Sequence, residues 1–210
     1  MKPPLPRLMA ILDHNNASPL SLIEASRIMM EGGIRFIQIR EKEMPAVDLF
    51  SIMEKIVQLG HLNQCRVVVN ERADVASCSH SDGVHLPQNG LPISQAREVM
   101  GEGKWVGKSC HTLDEARKAE KEGADYIVFS PVFLSQSKQA QGPIAGLDGL
   151  KMVSDTGTIP VYALSGITPD KISDCLKHGA YGVAVFSGFF AEDSLEEKVA
   201  EYLFELQLAL

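Results

Sequence analysis

Short hydrophobic runs alternate along the chain with longer segments in which hydrophobic residues recur at helical spacing. The strand-like runs are RLMAILD, RFIQIRE, RVVVNE, GVHLP, KWVGKSC, DYIVFSPVF, IPVYALSG and YGVAVFSGFF. The helix-like segments are SLIEASRIMMEGG, AVDLFSIMEKIVQLG, ADVASCS, ISQAREVMG, TLDEARKAEKEG, GLDGLKMVSDTG, TPDKISDCLKHG and SLEEKVAEYLFELQLAL. Nearly continuous apolar strands between helices are typical of a parallel sheet that is buried on both faces.

Eight such repeats predict an α/β fold in which the sheet closes into a (β/α)₈ barrel, formed by one domain over residues 1–210. An open doubly wound sheet is the alternative, but no G-x-G-x-x-G motif follows the first strand. Helix starts are predicted at Thr112, with Glu115 three residues later, and at Thr168, which precedes Pro169.

Composition and charge restrict the function. The chain has 210 residues, 45% of them hydrophobic, so it can bury a full core. A net charge of −7 and a pI near 5.4 argue against a nucleic-acid surface or a polybasic membrane patch, but they leave room for a small anionic ligand. Four cysteines without C-x-x-C spacing predict reduced thiols, and no signal peptide or membrane span is visible. These features predict a cytoplasmic protein without nucleic-acid or membrane partners.

Polar residues cluster where the predicted strands end, which is where a barrel of this type carries its active site. This set comprises Asp13, Gln38, Arg40, Lys42, Asn70, Glu71, His85, Gln88, Ser109, His111, Ser135, Ser137, Lys138, Ser165, Gly166, Ser187 and Gly188. In FIQIREK the polar residues occupy alternate positions, which point to one side of an extended chain. An ordinary solvated strand face would show the same alternation, and a buried hydrogen-bonded histidine would equally explain His85.

Two groups of donors predict two anion sites. The seventh and eighth runs each end in Ser-Gly, where barrels often bind phosphate and where glycine lets an anion approach the backbone. Simple chain turns are the alternative. Lys138, together with Arg40 and Lys42, could neutralise a more highly charged group such as a diphosphate, with Glu71 holding Mg²⁺. A solvated surface loop is the alternative for the Lys138 segment.

Several segments resemble the thiamine phosphate synthase family, which includes TenI-type thiazole tautomerases. The resemblance covers nearly the whole chain and rests on FIQIREK, VVVNERADVA, DGVHLPQ, VGKSCHTLDEARKAEKEGADYIVFSPVF, SQSK, YALSGITPDK and GVAVFSGFF. It implies a (β/α)₈ barrel that joins hydroxymethylpyrimidine diphosphate to thiazole phosphate. The implied products are thiamine phosphate and diphosphate, with Mg²⁺ as cofactor.

The same resemblance implies roles for individual residues. Gln38 and His85 would contact the pyrimidine, with Gln88 also among the substrate-binding residues. The implied diphosphate ligands are Arg40, Lys42, Asn70, Ser109, Ser135, Ser137 and Lys138. The implied thiazole phosphate ligands are Ser165, Gly166, Ile167, Phe186 and Ser187. We group Arg40, Lys42, Lys138 and Ser109 from this set, together with His111, as candidate catalytic residues.

The chain departs from the family pattern at the metal site. The synthase usually has Asn-Asp where Asn70-Glu71 stands and Gln-Glu-Asp where Gln88, Asn89 and Gly90 stand. Glycine has no side chain to offer, so the second acidic ligand is absent and Mg²⁺ would depend on Glu71.

A second departure concerns the branch of the family. HLPQNGLP resembles the TenI-type branch, which moves a proton on a thiazole phosphate tautomer. The histidine that some tautomerases place before Val-Phe is replaced by Ser130-Pro131, so His111 or His85 would have to carry the proton. We therefore expect a synthase that acts on small phosphorylated substrates, with a tautomerase or a catalytically silent phosphate-binding barrel as alternatives. The apolar end EYLFELQLAL could close the barrel or support a homodimer.

Overall fold

The computed structural model describes residues 2, 4–135, 144–190 and 194–210. Eight parallel strands pair in chain order, and the last strand pairs with the first to close the barrel. The strands are β1 (Leu8–Leu12), β2 (Phe36–Ile39), β3 (Arg66–Asn70), β4 (Gly83–Leu86), β5 (Trp105–Cys110), β6 (Tyr126–Phe129), β7 (Val161–Ala163) and β8 (Gly182–Val185). The predicted (β/α)₈ barrel is confirmed.

Helices follow the strands and form the outer layer. They are α1 (His14–Ala17), α2 (Leu22–Glu31), α3 (Ala46–Leu62), α4 (Ala73–Cys78), α5 (Ile93–Met100), α6 (Leu113–Lys121), α7 (Gly146–Thr156), α8 (Ile172–Lys177) and α9 (Leu195–Leu208). Two 3₁₀ helices span Pro169–Lys171 and Ser187–Phe190. Within the ranges given above, none of the helices combines the length and the apolar content needed to cross a membrane.

Local signals explain where several elements begin and end. Thr112 accepts a hydrogen bond from the Glu115 amide at 3.2 Å and so caps α6, as predicted. Thr168 precedes a 3₁₀ helix instead of an α-helix, and its side chain makes no capping bond. The predicted run YGVAVFSGFF is too long for a strand, because β8 ends at Val185 and Ser187–Phe190 turns into a 3₁₀ helix.

The barrel interior is solid at its lower end, where the strands begin. Phe36, Tyr126 and Tyr162 make edge-to-face contacts with ring centroids 5.6 to 5.9 Å apart. The Tyr162 hydroxyl donates to the Pro6 carbonyl at 2.6 Å, so the N-terminal segment lies across this end. This aromatic layer leaves the upper end, where the strands finish, as the place for a site inside the barrel.

Candidate active site

Four neighbouring strands each place one polar side chain inside the barrel near the strand's C-terminal end. These residues are Gln38 on β2, Asn70 on β3, His85 on β4 and Ser109 on β5. Asn70 pairs in register with His85, and the His85 ring contacts the Ser109 hydroxyl on the next strand, so these three side chains lie together. Gln38 is only 2% exposed, so FIQIREK is not an ordinary solvated strand face.

His85 links β4 to β5 and β6. Its Nε2 lies 2.9 Å from the Ser109 hydroxyl, and its Nδ1 lies 3.3 Å from the Tyr126 hydroxyl. The His85 and Tyr126 rings stack with their centroids 5.6 Å apart. Burial, reinforced by the positive charges of Lys108 and Arg40, lowers the pKa of His85 to about 3. The imidazole is therefore neutral near pH 7, where it can orient Ser109 but cannot act as a titrating acid or base.

The Tyr126 contact depends on a glycine in β5. A Cβ atom on Gly107 would lie 2.1 Å from the Tyr126 Cζ atom, so a side chain of any size would displace the ring. Sequence reasoning overlooked both residues. A glycine inside an apolar strand was the available signal, because it indicates that something packs closely against the backbone there.

Gln38 has an unused hydrogen-bonding group. Among the described residues, its buried Oε1 atom has no hydrogen-bond partner. An unpaired buried acceptor costs about 1–3 kcal/mol, so a bound molecule that donates a hydrogen bond here would be stabilised. This property suits the predicted role of Gln38 in substrate binding.

Arg40 brings two sides of the barrel mouth together. Its guanidinium carbon lies 5.5 Å from the centroid of the Phe186 ring, which follows β8. The Arg40 amide also donates to the Leu12 carbonyl at the end of β1, at 2.8 Å. A residue predicted to bind diphosphate and a residue predicted to bind thiazole phosphate are therefore in contact. Lys42, two residues beyond Arg40, is exposed at the rim.

The loop after β7 is fixed to the loop after β6. Ser165 has a φ of 87° and Gly166 a φ of 63°, and the Ser165 hydroxyl donates to the Phe133 carbonyl at 3.0 Å. A Cβ atom on Gly166 would lie 2.2 Å from the Leu134 carbonyl oxygen, so glycine permits this close approach. Lys171 also donates to the Gly166 carbonyl at 2.9 Å, so several contacts hold this loop in place.

The loop after β8 is held by α9. The buried Tyr202 hydroxyl donates to the Ile167 carbonyl at 2.9 Å. It would also lie 2.2 Å from a Cβ atom on Gly188, so the loops after β7 and β8 converge on one tyrosine. Ser187 is half-buried at the start of the second 3₁₀ helix.

His111 has a defined tautomer although it is exposed. Its Nδ1–H donates to the Ser130 carbonyl at 2.6 Å, which leaves Nε2 as the acceptor of a neutral ring. The His111 amide donates to Glu115 at 2.6 Å, and the other oxygen of Glu115 accepts from the Gln88 side chain, also at 2.6 Å. Gln88 is therefore engaged at the exposed rim, and its predicted contact with substrate stays a prediction.

The metal prediction rests on one carboxylate. Glu71 is exposed at the end of β3 with a φ of 66°, and its amide donates to the His85 carbonyl at 2.8 Å. In the described part of the chain, no three His, Cys, Asp or Glu side chains come together as a metal cluster. A single carboxylate suits Mg²⁺ when phosphate oxygens of the substrate complete its shell. A carboxylate cannot simply be restored at Gly90, because its Cβ would lie 2.8 Å from Cδ of the Pro87 ring.

A contact between a histidine and a carboxylate at the mouth was not predicted from the sequence. The His14 ring contacts the buried Glu41 carboxylate at 2.7 Å, between the ends of β1 and β2. Glu41 lies within FIQIREK but at a position that alternation assigns to the outer side, so the pattern did not single it out.

The long loop after β6 is described only at its ends. Ser135 is half-buried next to Leu134, whose carbonyl abuts Gly166. Ser137 and Lys138 lie outside the described residues. Their predicted contacts with diphosphate stay predictions.

The closed parallel sheet and its outer helices define a (β/α)₈-barrel protein with polar side chains at its mouth. Residues 8–189 match the thiamine monophosphate synthase family (TMP-TENI). An Aquifex aeolicus (strain VF5) protein, provisionally named thiamine-phosphate synthase 2, is 41% identical over 88% of this chain and 98% of its own length. The thiamine-phosphate synthase of Clostridium novyi (strain NT) is 32% identical over 90% of this chain and 93% of its own.

A solved structure agrees with these relatives. The thiamine phosphate pyrophosphorylase from Pyrococcus furiosus superposes with a TM-score of 0.87 at 31% identity, over 97% of this chain and 96% of that chain. The chain belongs to the thiamine monophosphate synthase family. The family predicted from the sequence, with its transferase class, is thus confirmed.

Proposed function

We propose that this protein is a thiamine phosphate synthase that couples hydroxymethylpyrimidine diphosphate with thiazole phosphate. The observation that carries the proposal is the buried Gln38 amide, whose Oε1 has no partner among the described residues. The pyrimidine carries an amino group that can donate to this atom. Gln38 lies two residues before Arg40, which directly follows β2, so a pyrimidine held at Gln38 would extend its diphosphate toward a cation.

The contact between Arg40 and Phe186 supports a reaction between two ligands at one mouth. Arg40 follows β2 and is assigned to the diphosphate, whereas Phe186 follows β8 and is assigned to the thiazole phosphate. Two reactants held in one mouth react in an effectively unimolecular step. Most of the rate acceleration would arise from this positioning.

The proposed chemistry needs no strong base. The bond between the pyrimidine methylene and the diphosphate oxygen breaks, and its electron pair leaves with diphosphate. The electron-rich pyrimidine stabilises the resulting cation, and the thiazole nitrogen donates its lone pair to form the new carbon–nitrogen bond. Arg40, Lys42 and Lys138 are assigned to stabilise the charge that develops on the departing diphosphate. Ser109, oriented by the neutral His85, is assigned to the same group.

Mg²⁺ is the proposed cofactor. When bound, it would neutralise charge on the diphosphate, with Glu71 as its protein carboxylate and phosphate oxygens supplying further ligands. We place the enzyme in the cytoplasm, in keeping with its four free cysteines, and we assign it small phosphorylated molecules as its ligands.

An assay with hydroxymethylpyrimidine diphosphate, Mg²⁺ and either thiazole phosphate tautomer tests the proposal. We expect thiamine phosphate from the purified chain. Gln38→Leu should lower kcat/KM for the pyrimidine substrate about tenfold or more, because a hydrogen bond to a buried group is lost. Gln58→Leu, at an exposed position of α3, is the matched control. Equal kinetics for the native chain and Gln38→Leu would refute the role of Gln38.

A thiazole phosphate tautomerase is the second candidate function, and His111 is the observation that favours it. The Ser130 carbonyl fixes the proton on Nδ1, so Nε2 of this exposed ring is free to act as a base. The fully buried His85 does not suit this role, because its pKa is far below neutrality. In the same assay, isomerisation without thiamine phosphate would identify a tautomerase. Ligand binding without either product would identify a catalytically silent barrel.

A further inference from the structure

A histidine and a buried carboxylate form a dyad at the barrel mouth. Glu41 accepts the His14 amide N–H on one oxygen at 2.6 Å and the His14 ring Nδ1 on the other at 2.7 Å. The Glu41 side chain is 2% exposed, whereas the His14 side chain is 56% exposed. The carboxylate is thus inside the protein while the imidazole reaches the surface of the mouth.

This geometry fixes the tautomer of His14. Because a carboxylate can only accept, Nδ1 must carry the proton, and the second ring nitrogen, Nε2, is left as the group that faces outward. Across the described ranges, no partner is found for Nε2. The hydrogen bond to Glu41 and its negative charge raise the pKa of His14, with smaller contributions from Asp13 and Glu43. Near neutral pH a larger share of His14 is therefore a cation with a free Nε2–H donor.

The dyad lies beside the loop assigned to thiazole phosphate. His14 begins α1, which packs against the 3₁₀ helix Ser187–Phe190. Glu41 directly follows Arg40, whose guanidinium contacts Phe186. A cation at His14 is therefore carried by an element that packs against the loop assigned to thiazole phosphate.

We infer that His14 donates an Nε2–H hydrogen bond to a phosphate oxygen of a bound substrate, with Glu41 as the residue that positions its ring. The inference rests on the proposed function, because it assumes phosphorylated substrates at this mouth. The monoester phosphate of the thiazole and the diphosphate of the pyrimidine are the two possible sources of that oxygen. The packing of α1 against Ser187–Phe190 favours the thiazole phosphate.

A purely structural role would not require this arrangement. The Glu41 carboxylate already ties the two loops together through the backbone N–H of His14, which any residue would supply. The imidazole adds an exposed donor whose charge depends on pH. The charged groups that act on it are Glu41, Asp13 and Glu43. On the neighbouring α2, Arg27 is engaged by Glu24 and Glu31 of its own helix, and Ser187–Phe190 contains no titratable side chain.

An NMR titration of the His14 ring in the full chain tests the inference. Thiazole phosphate should raise the pKa of His14, because a ligand that binds the protonated ring more tightly must stabilise the proton in turn. The unphosphorylated thiazole alcohol should leave it unchanged. Hydroxymethylpyrimidine diphosphate, added separately, tests the other source of the phosphate oxygen. Glu41→Gln should lower the pKa of His14, because the negative charge beside the ring is lost.

Binding calorimetry with a variant gives an independent measurement. His14→Gln should weaken the binding of thiazole phosphate about tenfold, the effect of one charge-assisted hydrogen bond, and leave the thiazole alcohol unaffected. His61→Gln is the matched control, because His61 is an exposed histidine in the last turn of α3.

The outcomes separate this inference from the proposed function. If the phosphorylated substrates bind but neither changes the pKa of His14, and His14→Gln binds them as tightly as the native chain, the inference is overturned and the synthase proposal stands. If neither phosphorylated substrate binds the native chain, both fail. A ligand-dependent rise in the pKa of His14 with either substrate supports the inference and identifies which phosphate it contacts.

Discussion

At the scale of single residues, burial decides what each polar side chain at the mouth can do. His85 and His14 are both histidines at strand ends, yet one is fully buried and the other half exposed. Burial lowers the pKa of His85 to about 3, whereas the Glu41 carboxylate raises that of His14. The first is a fixed hydrogen-bonding link, and the second can carry a charge near neutrality.

The buried His85 predicts how stability depends on pH. Unfolded chains protonate this histidine near pH 6.5, but the folded chain does so only near pH 3. The unfolded state therefore binds more protons between these values, and the free energy of unfolding falls as the pH is lowered. The slope from this group is about 1.4 kcal/mol per pH unit.

Urea unfolding between pH 7 and pH 4.5 measures this contribution. His85→Asn should show a shallower decline than the native chain over this range, although its stability at pH 7 is lower. His61→Asn, an exposed control, should keep the native slope. Parallel curves for the native chain and His85→Asn would show that His85 does not titrate as described.

Glu71 carries the predicted metal dependence alone. Glu71→Gln should raise the Mg²⁺ concentration needed for half-maximal synthesis about tenfold or more, because the carboxylate that would ligate the ion is lost. Glu54→Gln removes an exposed carboxylate from α3 and should change nothing. A Mg²⁺ titration that gives one curve for the native chain and both variants would remove Glu71 from the metal site.

At the scale of elements, the close approach of β5 to Tyr126 of β6 depends on Gly107. Gly107→Ala should destabilise the fold by about 1–3 kcal/mol, because the new methyl group overlaps the Tyr126 ring. In Gly157→Ala the new Cβ first meets the flexible Glu120 carboxylate at 3.1 Å, so this control should cost less. Denaturant midpoints compare the two variants. A Gly107→Ala chain as stable as the native one would contradict the packing.

The last helix supports the loops assigned to the thiazole phosphate. Tyr202→Phe removes the hydrogen bond to the Ile167 carbonyl, worth about 1 kcal/mol. We expect weaker binding of thiazole phosphate by roughly fivefold with unchanged binding of the pyrimidine diphosphate. Tyr181→Phe loses a bond to the Leu5 carbonyl at the opposite end of the barrel and should bind both normally. An equal loss for both ligands in Tyr202→Phe would mean that α9 supports the whole mouth instead.

Sequence patterns predict the elements better than their ends. The strand and helix runs arise from local hydrophobic spacing, which the fold preserves. The four-residue α1 is too short to show a helical pattern, so only its Asp13 cap, bonded to the Asn16 amide at 2.8 Å, could have indicated it. Ser187–Phe190 continues an apolar run, and a local pattern does not show that Phe189 packs against Tyr202 of α9, with the ring centroids 4.8 Å apart.

At the scale of the whole molecule, eight repeats are enough to predict the barrel, whereas strand alternation puts Gln38 and Arg40 on one side without deciding whether that side faces the interior or solvent. Contacts between side chains from different strands and loops cannot be predicted in this way. The contacts of His14 with Glu41 and of Arg40 with Phe186 join residues far apart in sequence, and no local pattern encodes them. That residues 1–210 form one domain remains our proposal.

The predicted homodimer also belongs to this scale and stays a prediction. Phe204 and Leu208 of α9, with the terminal Leu210, are exposed apolar side chains that a partner could cover. Light scattering should then give a mass of twice 22.9 kDa, falling to the single value in Phe204→Asp. A native mass of 22.9 kDa at all concentrations would exclude the dimer.

The central claim is that side chains from separate strands grip two phosphorylated molecules at one mouth. A crystal structure of the chain with thiamine phosphate and diphosphate tests it most directly. We predict the pyrimidine amino group against Gln38, the diphosphate against Arg40, and the ester phosphate at the loops holding Ser165 and Ser187. Ligands bound on another surface, or Gln38 still unpaired in the complex, would contradict the account.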